Sequence, residues 1–159
     1  MTHANKLGIA VIGFGYWGPN LARNIQESRQ VSLEYICELS EPHQQLAAKR
    51  HPQTKITSSF EQVLNDSEVK AVFVATPPDT HFPLAMKALQ ANKHVLVEKP
   101  LAKSSGECLQ LMEEAEKRDL VLMVDHTFAY TGAVKKMKEL ATCKDLGELH
   151  YYDSVRINL

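Results

Sequence analysis

Six short, mostly apolar runs recur along the chain, and segments with a helical spacing of apolar residues separate them. The runs cover residues 7–13, 31–38, 55–58, 71–76, 94–99 and 120–126. Continuous apolar runs are typical of strands that are buried on both faces, as in a parallel sheet. Their alternation with helices through short connections predicts an α/β fold, with a doubly wound parallel sheet covered by helices on both faces.

The predicted helices carry start signals at the expected places. Ser59 with Gln62, and Ser104 with Glu107, form the capping-box pattern, in which a hydroxyl accepts a hydrogen bond from the backbone three residues later. Ser40 is expected to cap the helix that follows the second strand. These signals place helices after the second, third and fifth strands.

The bulk composition argues against several classes of function. The formal net charge is −1, and no basic run is present that would attract nucleic acid or an anionic membrane. The first residues lack the apolar core of a signal peptide, and no apolar run reaches the ~20 residues that cross a bilayer. Cys37, Cys108 and Cys143 have no metal-ligand spacing and indicate reduced thiols. We expect a cytoplasmic protein without a metal, nucleic-acid or membrane partner.

The first run leads into a glycine-rich turn. Ligands of doubly wound sheets bind beyond the carboxyl ends of the strands, so the residues after each run are the candidate site. Gly13, Gly15 and Gly18 have the spacing G-x-G-x-x-G between a strand and a helix, which permits a sharp turn, close approach of a pyrophosphate and close helix packing. The alternative is a tight turn without a ligand. As a dinucleotide site, the turn contributes the glycines and the residues between them, Phe14, Tyr16 and Trp17.

The second run ends in a carboxylate. Glu38 lies twenty residues after the last glycine of the turn and can accept hydrogen bonds from both hydroxyls of an adenine ribose. Its charge would repel a 2′-phosphate, and no Arg or Lys follows it directly. The position therefore favours NAD over NADP, and the alternative is a solvated Glu at a strand end.

The fourth run ends in a loop stiffened by two prolines. Thr76 and Pro77 begin this loop, which is suited to form a wall for the flat cofactor. Asp79 is expected to cap the next helix rather than to take part in chemistry. His81 is a candidate cofactor contact, with a structural role as the alternative.

The fifth and sixth runs end in the candidate catalytic residues, Lys99 and His126. Lys99 lies where the nicotinamide end of a dinucleotide would reach, and an ammonium there can hydrogen-bond a substrate hydroxyl or stabilise a developing alkoxide. Glu98 could hold Lys99 in place, and both are predicted cofactor contacts. The alternative for Lys99 is an ordinary surface ion pair. In the predicted register, Tyr130 faces the same rim as His126.

Together these motifs resemble the N-terminal domain of the glucose–fructose oxidoreductase / inositol dehydrogenase (Gfo/Idh/MocA) family. The resemblance covers nearly the whole chain and is carried by GFGYWGPN, ATPPDTH and, most of all, EKPLA at residues 98–102. The run VDHTFAYTGAVKKMKEL is similar to members that oxidise nucleotide-linked sugars, such as UDP-N-acetyl-hexosamine and uronic acid 3-dehydrogenases.

The resemblance implies a Rossmann domain that binds NAD(P), followed by a second α/β domain with a large open sheet. It implies hydride transfer between nicotinamide and a sugar or nucleotide-sugar carbinol carbon, with Lys99 close to the reacting centre. His126 and Tyr130 are expected near the nicotinamide or the substrate. The implied partners are a small-molecule sugar and, in the intact protein, further copies of the same chain.

Two other functions fit the same residues. One is a non-catalytic NAD-binding module or regulatory fragment. The other is a different reduction on the same scaffold, such as that of biliverdin reductase or dihydrodiol dehydrogenase, because one fold supports several chemistries.

The predicted domains are a dinucleotide-binding domain over residues 1–126, a connecting helix over 127–147 and a strand over 148–159. The last segment alternates apolar and polar side chains, which predicts a half-buried strand. It is either an edge strand of the same sheet or the opening strand of a truncated second domain. We favour the second interpretation, because an unpaired strand with an apolar face is a liability. On that interpretation, the chain alone has little or no turnover.

Overall fold

The computed structural model describes residues 6–143, 147–155 and 157. They form two compact units that divide between Asp125 and His126. The first unit contains a sheet with five helices, and the second contains a short 3₁₀ turn and one helix.

The first unit is built on the six predicted strands, and all neighbouring strands in the sheet are parallel. Their order across the sheet is β3-β2-β1-β4-β5-β6. This is the strand order of a Rossmann fold, and it confirms the predicted doubly wound parallel sheet. The strands are β1 (Leu7–Ile12), β2 (Val31–Cys37), β3 (Lys55–Thr57), β4 (Val69–Val74), β5 (His94–Glu98) and β6 (Leu122–Asp125).

Five helices connect these strands, and two of them begin with the predicted capping boxes. The Ser59 and Ser104 hydroxyls accept hydrogen bonds from the backbone N–H groups of Gln62 and Glu107, each at 3.2 Å. Among the described residues, no helix combines the length and the apolar character needed to cross a bilayer. The helices are α1 (Gly18–Glu27), α2 (Glu41–Arg50), α3 (Phe60–Asn65), α4 (His81–Gln90) and α5 (Ser105–Lys117).

Two expected helix caps are absent from the described residues. Ser40 precedes α2, but its hydroxyl makes no capping bond there, and its backbone N–H donates to Oε1 of Glu38 at 2.9 Å. Asp79 lies in a 3₁₀ turn before α4 and pairs with Lys103 instead of capping the helix. For Asp79, a partner from a more distant part of the chain replaced the local bond that the sequence suggested.

The side chains of β1 alternate between two apolar cores on opposite faces of the sheet. Ala10 and Ile12 belong to a cluster with residues of α3, α4 and α5, whereas Ile9 and Val11 belong to a cluster with residues of α1 and α2. Burying one Val or Ile side chain contributes about 1.5–3 kcal/mol. Because both faces are covered, β1 needs an unbroken apolar sequence.

The second unit contains a 3₁₀ turn at Thr127–Tyr130 and helix α6 (Gly132–Thr142). The strand predicted over residues 148–159 is not formed in its described part, residues 148–155 and 157, and residues 156, 158 and 159 lie outside the described residues. An alternating sequence becomes a strand only when a second strand takes up its backbone N–H and C=O groups. The assignment of this segment to a second domain stays a prediction.

Candidate cofactor and catalytic site

The three glycines of the turn after β1 have different surroundings. Gly13 has a φ of +92°, and a Cβ atom on it would lie 2.7 Å from the carbonyl oxygen of Ala75. A Cβ atom on Gly18 would lie 2.1 Å from the carbonyl oxygen of Gly13. A Cβ atom on Gly15 would meet no other atom within 4 Å. Chain packing therefore requires glycine at positions 13 and 18, whereas Gly15 faces open space.

This open space belongs to a cleft at the carboxyl ends of the strands. Its volume is about 840 Å³, within the usual range for ligand sites. The sequence-predicted cofactor contacts that line it are Gly13, Gly15, Tyr16, Trp17, Glu38, Thr76, Pro77, His81, Glu98 and Lys99. These predicted contacts come from the ends of four strands, β1, β2, β4 and β5.

Two of the predicted contacts lie elsewhere. The Phe14 side chain is fully buried in the core and meets the ring of His51 edge to face, with 5.7 Å between the ring centroids. Gly18 is also buried and packs against the turn itself. Phe14 is the inward-facing residue of a turn whose neighbour Tyr16 is 92% exposed, and the glycine spacing alone does not distinguish the two.

Glu38 links the end of β2 to the glycine-rich turn. One carboxylate oxygen accepts a hydrogen bond from the backbone N–H of Phe14 at 2.6 Å, and the other accepts from the backbone N–H of Ser40 at 2.9 Å. The ring of His43 lies 3.9 Å from the first oxygen. A carboxylate has about four lone-pair positions, so two remain for further donors.

His81 connects the loop after β4 to the loop after β5. It is almost fully buried, with Nδ1 2.7 Å from the carbonyl oxygen of Pro100 and Nε2 2.8 Å from that of Thr76. A neutral imidazole donates through one nitrogen only, so both contacts are hydrogen bonds when both nitrogens carry protons. The side chain therefore links the two loops at the wall of the cleft.

Lys99 and Glu98 line the cleft at the end of β5. The Glu98 carboxylate accepts a hydrogen bond from the backbone N–H of Lys99 at 3.2 Å, so it contacts the main chain of Lys99 rather than its ammonium. Within the described residues, the Lys99 ammonium has no hydrogen bond or ion pair with another side chain. It is available to a ligand in the cleft.

Asp125 was missed by the sequence analysis. It is the last residue of β6 and lies opposite Glu98 in the parallel register. Its carboxylate accepts a hydrogen bond from the indole N–H of Trp17 at 3.3 Å. Burial, followed by the neighbouring Asp125 carboxyl, raises the pKa of Glu98 to about 7. The signal was present in the sequence, since both acids end consecutive strands that are neighbours in this strand order.

His126 and Tyr130 belong to the second unit. His126 is exposed and follows Asp125 directly in the chain, and Tyr130 is exposed at the end of the 3₁₀ turn. Their predicted roles near nicotinamide or substrate stay predictions.

The residues of the cleft fit a dinucleotide. In the part of the chain that the structure describes, the backbone N–H groups of Gly15 and Tyr16 have no partner, and they lie just before the N-terminus of α1. Such N–H groups beside a positive helix end bind a pyrophosphate, and the missing side chain at Gly15 provides the space. Glu38 has acceptor capacity left for the hydroxyls of a ribose.

The comparison with known proteins identifies the family. A family model described as an oxidoreductase family with an NAD-binding Rossmann fold, Gfo/Idh/MocA, matches residues 7–126. The chain belongs to the Gfo/Idh/MocA family. The predicted family is confirmed, and the NAD-binding Rossmann domain of this oxidoreductase family contains the whole cleft described above.

Relatives of this Gfo/Idh/MocA chain include enzymes and solved structures. An uncharacterized oxidoreductase of Streptococcus pneumoniae is 30% identical over 92% of this chain and 39% of its own length. The dTDP-3,4-didehydro-2,6-dideoxy-alpha-D-glucose 3-reductase of Saccharopolyspora spinosa is 27% identical over 77% of this chain and 40% of its own length. The crystal structure of GenD2 from gentamicin A biosynthesis, in complex with NAD, has a TM-score of 0.85 and 32% identity, over 91% of this chain and 41% of that chain. The chain thus spans about 40% of the length of these relatives.

Proposed function

We propose that this chain is the cofactor-binding part of an NAD-dependent dehydrogenase that acts on a carbinol carbon of a sugar or a nucleotide-linked sugar. The observation that carries the proposal is the position of Lys99. Lys99 lines the same cleft as Gly15 and Glu38, and its ammonium is unpaired within the described residues. One site thereby holds both the dinucleotide and the Lys99 ammonium, which can bind a substrate oxygen.

The residues of the cleft define the orientation in which the dinucleotide binds. Glu38 accepts hydrogen bonds from the hydroxyls of the adenine ribose, and Gly15 admits the pyrophosphate beside the N-terminus of α1. The nicotinamide end then lies towards Lys99 at the end of β5. The charge of Glu38 disfavours a 2′-phosphate, so NAD is preferred to NADP.

The proposed reaction assigns Lys99 a role in the chemistry. NAD⁺ held by the residues of the cleft would supply an acceptor for the hydride, which leaves the carbinol carbon with the electron pair of the broken C–H bond. The carbonyl bond would form as the hydroxyl proton passes to a general base. Lys99 donates a hydrogen bond to the substrate oxygen and stabilises the negative charge that develops on it.

The proposed substrate class has two sources of support. One is the sequence run at residues 124–140, which resembles dehydrogenases of nucleotide-linked sugars. The other is the relative from Saccharopolyspora spinosa, whose name describes a reductase of a dTDP-linked sugar. A nucleotide-linked hexose is therefore the first substrate to test.

Calorimetric titration of the chain with NAD⁺, NADH and NADPH tests the cofactor half of the proposal. We expect binding with a preference for the NAD forms, and an intact fold without binding of any nicotinamide dinucleotide would overturn it.

Reduction of NAD⁺ in the presence of UDP-linked and dTDP-linked hexoses tests the catalytic half. The assay uses the chain alone and with the C-terminal domain of a family relative added. Turnover that requires Lys99 supports a dehydrogenase, and binding without turnover in any combination supports the non-catalytic module.

A further inference from the structure

Two carboxyl groups lie side by side at the nicotinamide end of the proposed cofactor site. Glu98 and Asp125 are the last residues of β5 and β6 and are direct partners in the parallel register. Directly opposed residues of neighbouring strands project their side chains from the same face of the sheet. The two carboxyl groups are therefore close neighbours.

The hydrogen bonds to Glu98 and Asp125 do not fully compensate the negative charge of two carboxylates. Oε1 of Glu98 is buried and has no hydrogen-bond partner among the described residues. Among the described residues, Oε2 of Glu98 accepts a hydrogen bond from the backbone N–H of Lys99, and the Asp125 carboxylate accepts one from the indole N–H of Trp17. Two neighbouring carboxylates repel each other, which favours a protonated carboxyl at Glu98.

We propose that Glu98 and Asp125 share one proton, and that the binding of this proton is coupled to the charge of the nicotinamide ring. Loss of the proton favours binding of the oxidised, positively charged ring. The inference rests on the proposed function, because it requires nicotinamide at the end of β5. Within that function, Asp125 becomes a residue that determines which redox form of the cofactor binds.

The physical basis is the linkage between two binding equilibria. A positive ring near the pair favours loss of the shared proton, and by reciprocity the loss of the proton favours binding of the positive ring. The neutral ring of NADH lacks this interaction. Raising the pH therefore strengthens the binding of NAD⁺ relative to NADH.

The groups around Glu98 place the loss of the shared proton in a pH range that can be measured. Burial and the Asp125 carboxyl on β6 raise the pKa of Glu98 to about 7, while the positively charged Lys99 acts in the opposite direction. Trp17 from the glycine-rich turn has no titratable group, and both ring nitrogens of His81 on α4 face backbone carbonyls. His126 follows Asp125 in the chain and is the other titratable group that an experiment must distinguish.

The test measures the affinities of NAD⁺, NADH and ADP-ribose by calorimetry between about pH 6 and 8.5. ADP-ribose lacks the nicotinamide ring and reports on the rest of the cleft. We expect the affinity ratio of NAD⁺ to NADH to increase by about fivefold or more across this range, and the ADP-ribose affinity to stay constant. Infrared spectra report the protonated carboxyl independently, as a C=O band that disappears over the same pH range.

Glu98→Gln and Asp125→Asn should each remove the pH dependence from this range, and Glu116→Gln on the exposed face of α5 serves as the matched control. Two isosteric variants are used so that one remains if the other fails to fold. A pH-independent ratio in the wild-type chain, or a dependence that persists in both variants, overturns the inference. Failure to bind any of the three ligands by a folded chain overturns the proposed function instead.

Discussion

The Glu38 carboxylate accepts a hydrogen bond from the backbone N–H of Phe14 at 2.6 Å and so joins the end of β2 to the turn after β1. The residue proposed to select the ribose therefore also holds the loop that binds the pyrophosphate. A change at Glu38 acts on both parts of the cofactor site.

Glu38→Gln should narrow the preference for NAD over NADP by about tenfold, because it removes the charge that repels a 2′-phosphate while one acceptor oxygen remains. The affinities of NADH and NADPH are measured by fluorescence titration. Glu41→Gln, three residues on and at the exposed start of α2, is the control. An unchanged ratio in Glu38→Gln would show that Glu38 does not contact the ribose.

Substitutions at two glycines of the turn after β1 should separate effects on folding from effects on cofactor binding. Gly18→Ala places a Cβ atom 2.1 Å from the carbonyl oxygen of Gly13 and should destabilise the fold by about 2 kcal/mol or more. Gly15→Ala meets no atom within 4 Å and should leave the melting temperature nearly unchanged while NAD affinity drops at least tenfold. Gly106→Ala in α5 is the control for both. Normal NAD binding by Gly15→Ala would contradict the assigned pyrophosphate position.

Lys99→Met should lower kcat by about 10²–10³-fold in any assay that shows turnover, with a smaller effect on NAD affinity, because the ammonium stabilises charge that develops during the reaction. Lys103→Met removes an exposed lysine that pairs with Asp79 outside the cleft and serves as the comparison. Equal kcat values for the two variants would exclude a catalytic role for Lys99.

His81→Ala should lower the free energy of unfolding by about 1–3 kcal/mol, because it leaves the carbonyl groups of Thr76 and Pro100 without their partner. It should also weaken NADH binding more than ADP-ribose binding, since Pro100 follows Lys99 at the nicotinamide end. Denaturant unfolding and titration with both ligands measure these effects. Equal losses for the two ligands would place the role of His81 away from the nicotinamide.

Asp66 should make the fold sensitive to acid. Its carboxylate accepts hydrogen bonds from the backbone N–H of Glu68, from Tyr35 and from Lys55, which lowers its pKa to about 2. Because this pKa lies below the unfolded value of about 4, the stabilisation is present above pH 4 and is lost as the pH falls towards 2. Asp66→Asn should cost about 1 kcal/mol at neutral pH. Denaturant unfolding should show that the difference in free energy of unfolding between Asp66→Asn and wild type shrinks as the pH falls from about 4 to about 2. A difference that does not change with pH would contradict the lowered pKa of Asp66.

The sequence predicted the sheet and most of the cleft because those features depend on local patterns. The apolar runs reflect strands buried on both faces, and the glycine spacing between a strand and a helix fixes the turn. Glu38 and Lys99 followed from the rule that the site lies at the carboxyl ends of strands. None of these inferences required knowledge of which side chains meet.

Features that depend on contacts between distant residues were not predictable in the same way. The burial of the Phe14 ring against His51, and the bond between Trp17 and Asp125, join positions far apart in the chain. The alternation in residues 148–159 predicted a strand, but the described part of that segment has no paired backbone, because a strand requires a partner that no local pattern supplies.

The position of β1 between β2 and β4 affects the order in which the domain can be assembled during synthesis. Until residues 69–74 have left the ribosome, β1 has one open edge. The backbone of Ala75, against which Gly13 packs, is then not yet available to the emerged part of the chain. The cleft for the dinucleotide is therefore completed only after β4 and β5 have emerged. Cellular NAD can stabilise the finished domain against degradation, but it cannot assist the first steps of folding.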